Sequence, residues 1–378
     1  MNKRIVIIRN AYGYDFGGGE RFPVFLAKSL TTFGYEPTVI SRNATLLSFA
    51  KNSGIATLRG WWWSRQNWSG TRTLLFPVYA LWQFIIYFWY LQVFKKINPG
   101  AVHIQSKDDF IAATYAAKHL DIRVVWTDHA DLKHVWRNLQ TPTKNPIGKW
   151  VHRAAKHVTT ITAVSNSEMK EITAHLALAS PIRKKIAVVY NGCADVYGNY
   201  PAATDDTFTY AIVSRLVTDK GIGEAIQAFT ELHKKHKNTR LVFAGDGPER
   251  ERFVTQADGN TAIEFHGYLS DPYTVMSSAN VFLQPTYHEG FSISLVEASM
   301  FKKPIIATSV GGNVEIIHNE QTGLLIPPRN ADALFEAMER LYSDSGLRST
   351  LAEAARKQYE AKFIFDKIVE ERFIPLYD

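Results

Sequence analysis

The chain has 378 residues, 46% of them hydrophobic and 21% charged, a soluble-type composition too long for one ordinary core and sized for about two or three domains. Its formal charge of +7 suits anionic partners, yet no long basic block and no nucleic-acid-binding signature accompanies it, which argues against nucleic acid. A single cysteine, Cys193, excludes an intramolecular disulfide and points to a reducing compartment.

The opening MNKRIVIIRN runs straight into a strand-like segment without the pattern of a signal peptide, so a cytoplasmic protein is expected. Glu20 to Thr32 follows as a helix, with Phe22, Phe25, Leu26 and Leu30 at helical spacing and Pro23 in its first turn. EPTVIS is the next strand. Leu74 to Phe94 then runs for 21 residues without a charge, long enough to cross a bilayer. Pro77, Gln83, Gln92 and aromatics spread through its middle argue instead for a helix packed in an α/β domain, with one face available to lipid. AVHIQS, DDFIAATYAAKHL and RVVWTDH read as strand, helix, strand, and HVTTITAVS and KIAVVYNG add two strands. This is the rhythm of a parallel sheet covered on both faces.

The periodicity lapses at VYGNYPAATDD, which reads as a linker, and then restarts. TYAIVS, RLVFAGDG, AIEFHGYL, ANVFLQPT, KPIIATS and TGLLIPP alternate with helical runs in a second α/β unit. The expected organisation is a first domain over 1–195, a linker over 196–206, a second domain over 207–360 and a C-terminal helix over 361–378 packing back on the first. Two doubly wound domains are expected to face each other, with ligands beyond the carboxyl ends of their strands.

Chemistry concentrates in the second half. In QPTYHEGFSISLVEA, Glu289 and Glu297 bracket seven residues, the first in a loop leaving a strand and the second in the helix that follows. A helix start with Gly290 before it is a seat for a diphosphate, and the carboxylates can accept hydrogen bonds from sugar and ribose hydroxyls. A plainer reading makes Ser294 and Glu297 a capping box. Arg215 and Lys220 follow a strand and can clamp a pyrophosphate, or stand as solvated charges. Gly245 to Pro248 forms a tight strand-to-helix turn, with or without a ligand role. His129 follows the strand RVVWT, where a site residue belongs, although many histidines are simply satisfied core residues. No Asp-x-Asp metal pair is found, and the adjacent pairs Asp108-Asp109 and Asp205-Asp206 point apart on regular structure.

Arg215–Gly221 as R-L-x-x-x-K-G, Gly245–Pro248 as G-D-G-P, E-G-F-x-x-x-x-x-E-A from Glu289, Gly311-Gly312 with Glu315, and Thr322–Leu325 as T-G-L-L occur in that order. Together they resemble the C-terminal domain of the retaining glycosyltransferases of family 4, which have the GT-B fold. The first half resembles the same family in DFGGGERF (Gly17, Gly18, Gly19, Glu20), VVWTDHADL (His129), TAVSNSEMK (Ser165, Ser167) and VVYNGCADVY (Asn191, Gly192, Asp195). The resemblance implies an α/β protein with two Rossmann-like domains across a cleft. It implies that Arg215 and Lys220 hold the donor diphosphate, Glu297 the ribose, and Glu289 and His129 the transferred sugar. Gly17 to Gly19, Gly245 and the Gly290, Phe291 and Ser292 backbone would complete the donor site. Ser292 stands where the family often has glycine.

The implied reaction is retaining and metal-independent, moving a hexose or N-acetylhexosamine from a nucleotide-diphosphate sugar, with UDP expected on frequency. Cationic groups at the leaving diphosphate make a divalent ion or other cofactor unnecessary. The basic surface, the aromatic segment and Trp61 to Trp63 lead to an expected peripheral contact with anionic membrane, at its inner face, and a lipid-linked or cell-surface glycan as acceptor. The alternatives are a sugar-nucleotide epimerase of the same fold and a non-enzymatic sugar-binding protein. An NAD-dependent dehydrogenase is disfavoured because Phe22 stands where G-x-G-x-x-G needs its third glycine.

Overall fold

The computed structural model of the chain describes residues 2–10, 18–62, 76–129, 132–137, 146–201 and 206–378, with 18–20 in backbone only. Gly17, Trp63, Leu74, Leu75 and Asp205 lie outside the described residues. Two compact units divide the chain, residues 1–190 with 366–378, and residues 191–365.

Seven parallel strands carry the first unit: β1 (Arg4–Ile8), β2 (Glu36–Ser41), β3 (Ala56–Arg59), β4 (Ala101–Ile104), β5 (Arg123–Asp128), β6 (Thr160–Ala163) and β7 (Ile186–Val188), in the order β3-β2-β1-β4-β5-β6-β7. A central strand covered on both faces has no solvent side, so its apolar residues need not alternate. Ile5, Val6, Ile7 and Ile8 of β1 are accordingly all buried. Helices α1 (Gly18–Thr32), α2 (Ala44–Asn52), α3 (Phe76–Ile97), α4 (Ala112–His119), α5 (Leu132–Val135), α6 (Pro146–Ala155) and α7 (Asn166–Ala174) belong to the first stretch of this unit, and short helical turns follow in its C-terminal residues. Helix α1 starts before Glu20, so Pro23 stands inside it rather than in its first turn. No helix among the described residues is long and apolar enough to cross a membrane; the uncharged segment is α3.

The last residues return to this unit. Ser29 donates to Asp366 at 2.5 Å, Tyr35 to Asp378 at 2.9 Å, and the Tyr377 hydroxyl meets Nδ1 of buried His103 at 2.7 Å. The other ring nitrogen of His103 meets the Thr127 hydroxyl at 2.6 Å, so a polar side chain within β4 is fully satisfied.

The second unit has six parallel strands: β8 (Phe208–Val213), β9 (Thr239–Ala244), β10 (Ile263–Phe265), β11 (Val281–Gln284), β12 (Ile305–Thr308) and β13 (Leu324–Ile326), ordered β10-β9-β8-β11-β12-β13. Around them lie α8 (Ile222–Lys235), α9 (Arg250–Gln256), α10 (Tyr273–Ser278), α11 (Ile293–Met300), α12 (Asn313–Ile316), α13 (Ala331–Ser343) and α14 (Ser345–Lys362). Phe229, Phe243, Leu283 and Met338 join one core cluster, and Arg356 of α14 fastens Asp195 through contacts of 2.6 and 3.0 Å. Strand order reverses between β1 and β4 in one sheet and between β8 and β11 in the other. Loops leaving neighbouring strands diverge at such points, which opens a crevice at the carboxyl ends.

Candidate active site

At the β8/β11 reversal in the second unit, three strand-end loops are bonded to one another through their backbones. The loop after β8 gives the Asp219 carbonyl, which accepts from the Tyr287 N–H at 2.8 Å and the Thr286 hydroxyl at 2.9 Å in the loop after β11. Thr308, ending β12, donates to the Thr286 carbonyl at 2.5 Å. The Gly312 N–H donates to the Glu289 carbonyl at 3.0 Å. Gly311 is demanded by this crossing: its φ is +47°, and a Cβ there would come within 1.8 Å of the Glu289 carbonyl oxygen.

Lys220 and Glu289 meet on this frame, Nζ to Oε2, at 2.6 Å, with each side chain 18% exposed. Gln284, the last residue of β11, approaches the same oxygen at 3.4 Å. Arg215 is exposed on the loop after β8, two residues past the strand end. Its neighbour Leu216 donates its N–H to Asp246 in the turn after β9 at 3.0 Å. Gly245 opens that turn at φ +142°, where a Cβ would fall 1.9 Å from the Ser214 carbonyl oxygen. Close backbone packing against the β8 loop therefore requires this glycine, whatever else the turn does.

Glu297 is the fifth residue of α11, and its Oε1 accepts from the Tyr273 hydroxyl of α10 at 2.9 Å. The capping box between Ser294 and Glu297 does not form. Ser292 is the N-cap, accepting from the Leu295 N–H at 3.3 Å, while Ser294 donates to the Val213 carbonyl at 3.1 Å. Ser at 292, where the family often has glycine, thus closes the start of α11. Phe291 is buried, its ring 5.9 Å from that of Phe363, so this residue anchors the loop and leaves only its backbone for a ligand. Gly290 is half-buried beside it.

The first unit has its own polar cluster at the β1/β4 reversal. Because Ile8 lies level with Ile104, the residues after both strands become neighbours. Arg9 donates to the Gln105 carbonyl at 2.5 Å. Asp109 accepts from Asn10 at 2.6 Å, Ser106 at 2.5 Å and Tyr90 at 2.8 Å, and Asp108 is paired with Arg42 at 3.4 Å. Asp108 and Asp109 thus take separate partners, as neighbours on the chain do. Gln105 is 1% exposed, and among the described residues neither its amide nitrogen nor its amide oxygen has a partner. His129 follows β5; its ring meets Phe22 edge-on at 5.3 Å and its buried Nε2 is likewise unpartnered. Burial holds this imidazole well below its ordinary value, with Arg9 and His103 adding to the effect, so it is neutral. Gly18 and Gly19 begin α1; Gly17 is outside the described residues. Ser165 caps α7 through the Glu168 N–H at 3.0 Å.

Sequence reading missed Arg9, Asn10 and Gln105. Nothing local marks them, since their meeting depends on strand order. Among the described residues no group of three His, Cys, Asp or Glu converges to hold a metal ion.

Two family models match the chain. The one described as Glycosyltransferase Family 4 covers residues 16–195, and the one described as Glycosyl transferases group 1 covers residues 201–358. The capsular polysaccharide biosynthesis glycosyltransferase CapM of Staphylococcus aureus is 33% identical over 177 residues, 46% of this chain and 46% of CapM. The N,N'-diacetylbacillosaminyl-diphospho-undecaprenol alpha-1,3-N-acetylgalactosaminyltransferase of Campylobacter jejuni is 30% identical over 44% of this chain and 43% of its own length. The matches therefore span less than half of either relative. Among solved structures, HepE of Anabaena in complex with UDP superposes with a TM-score of 0.75 at 16% identity, over 99% of each chain.

Proposed function

The chain belongs to the family 4 glycosyltransferases of GT-B fold, and from that premise we propose that it transfers a hexose or N-acetylhexosamine from UDP-sugar, with retention and without a metal, to a lipid-linked or cell-surface glycan. The observation that carries this reading is the Lys220–Glu289 pair at the β8/β11 reversal, with Arg215 on the same loop and Glu297 on the following helix.

Glycosyl transfer separates charge: the sugar gains oxocarbenium character while the diphosphate leaves as an anion. Lys220 and Arg215 supply fixed positive charge for the leaving group, where preorganised charge lowers the barrier most. Glu289 accepts hydroxyl hydrogen bonds from the sugar, and Glu297, oriented by Tyr273, accepts them from the ribose. In the first unit neutral His129 and the unpartnered amide of Gln105 have the chemistry to bond sugar hydroxyls, because each carries buried polar atoms awaiting a partner. Retention without a covalent intermediate fits a site whose carboxylates are already engaged by Lys220 and Tyr273.

UDP as the donor nucleotide is supported by HepE, solved with UDP. A membrane-carried acceptor is supported by the action of the Campylobacter relative on a diphospho-undecaprenol substrate and by the capsule role of CapM, and we place its use at the inner face of the membrane. The test is nucleotide release from a panel of UDP-, GDP- and ADP-sugars, with EDTA present and a polyprenyl-diphosphate sugar as acceptor, and NMR of the product's anomeric configuration. UDP release that needs the acceptor and persists in EDTA is expected. Strict metal dependence or an inverted anomer would overturn the corresponding part.

A further inference from the structure

Helix α3 is apolar on every side, which a helix at a water-facing surface should not be. Gln83, Ile86, Tyr90 and Phe94 form its buried row. The opposite row is exposed: Val78 at 63%, Leu81 at 62%, Phe84 at 56% and Phe88 at 46%. Spacing of three and four residues puts these on one face. Four large apolar side chains in one continuous stripe exceed the scattered exposure normal for a surface.

Cations flank the stripe. Lys95 and Lys96 end α3 itself. The Tyr87 hydroxyl of α3 meets His119 of α4 at 3.0 Å, and the neighbouring Lys118 meets His157, just past α6, at 3.3 Å. At the other end of α3, Phe76 and Tyr79 pack on Trp150 of α6, with ring centroids 5.9 and 6.3 Å apart. On a different face of α6 from Trp150, Lys149 and Lys156, with His152 and His175, line an open groove of about 430 Å³. Burial lowers the His157 imidazole, and the nearby Lys118, Lys185 and Lys156 add to the effect. No Asp or Glu occurs in α3, α4 or α6. An apolar stripe on helices that carry cations and no acid, with Asp121 just past α4 the nearby exception, is complementary to one kind of partner, the acyl and phosphate layers of an anionic bilayer.

We propose that the exposed row of α3 enters the interface of an anionic membrane, while Lys118 and Lys156 seat lipid phosphates beside it. This surface deepens the membrane-carried acceptor reading and rests on it for its purpose.

Flotation of the full chain with phosphatidylglycerol/phosphatidylcholine vesicles tests it, alongside calorimetric UDP binding, which reads the second unit. The chain is expected to float with anionic vesicles and not with pure phosphatidylcholine. Leu81→Asp/Phe84→Asp abolishes flotation, and Lys118→Glu/Lys156→Glu weakens it by about fivefold per lysine or more. Both variants retain thermal unfolding and UDP affinity, because the altered side chains are exposed and belong to the other unit. Absence of wild-type flotation, or flotation that survives either double variant, overturns the surface. So does a wild-type dimer in sedimentation that Leu81→Asp/Phe84→Asp turns to monomer without any vesicle binding, which assigns the stripe to a second copy. Intact flotation with no UDP binding sinks the donor reading and leaves the surface standing.

Discussion

Lys220 holds Glu289 at 2.6 Å, so the two side chains assigned to the donor's diphosphate and to its sugar neutralise each other before any donor arrives. Both are mostly shielded from water, which makes the pairing stronger than an exposed ion pair. A donor must therefore redistribute an existing interaction rather than meet two idle charges. Glu289→Gln releases Lys220 and removes a negative charge beside the diphosphate. Expected is tighter UDP binding, by up to about tenfold, together with turnover lowered by ~10²-fold from the lost sugar contact. Lys220→Met is expected to weaken both. Calorimetry with UDP and steady-state rates on the same preparations check this. Parallel loss of UDP affinity in both variants would show that the pair acts as a unit.

Arg215→Ala is expected to lower turnover by ~10²-fold or more, because its charge is proposed to be needed only as the diphosphate leaves. Near-normal rates in a folded Arg215→Ala protein would remove it from the site.

The hydrogen bond from Tyr273 to Glu297 helps to orient this carboxylate on its helix. Tyr273→Phe is expected to raise KM for the donor by about fivefold, the worth of one hydrogen bond of ~1 kcal/mol, with kcat little changed. Glu297→Ala should raise KM much further. A kcat loss in Tyr273→Phe equal to its KM effect would mean that the tyrosine contributes to the transition state instead.

Much of this architecture was readable from the chain because parallel strands covered on both faces declare themselves as unbroken apolar runs. RIVII, TYAIV and VFLQ are such runs, and each is followed by a loop in which site residues are proposed. Of the two readings of the α11 start, the plainer one fails: Ser294 and Glu297 have capping-box spacing, yet Ser292 takes the cap and Ser294 turns to β8. Spacing alone cannot choose between two serines; the direction of the entering chain does. Gln105, Arg9 and Asn10 were illegible for a different reason. Their cluster exists because β4 is inserted next to β1, about a hundred residues away, and no local period records that insertion.

Gly245 and Gly311 lie where two loops cross backbone to backbone, with no space for a side chain. In both, the blocking atom is a carbonyl oxygen, which cannot swing aside as a side chain can. Gly311→Ala pushes directly on the residue that presents Glu289, whereas Gly245→Ala pushes on Ser214, before Arg215. Each is expected to cost roughly 2 kcal/mol or more in urea unfolding, and each should lose activity beyond what its residual folded fraction explains. Wild-type stability in Gly245→Ala would show that the β8 and β9 loops separate easily.

Buried His103 should make the first unit acid-sensitive. Its folded value is pushed down to about 3 from 6.5 by burial. Below about 6.5 the unfolded chain takes up a proton that the folded one refuses, so the unfolded state binds more protons. The contribution is therefore complete above 6.5 and lost as pH falls toward 3, at about 1.4 kcal/mol per pH unit for one such histidine. His129, also held low by burial, acts in the same sense. Protonating His103 would force a charge between Thr127 and Tyr377, so the C-terminal residues that Tyr377 helps to hold should loosen first. Urea unfolding at several pH values between 7.5 and 4.5, with amide exchange over the last residues, is the measurement. His103→Asn lowers stability at neutral pH but flattens the acid slope, and an unchanged slope would place the acid sensitivity elsewhere.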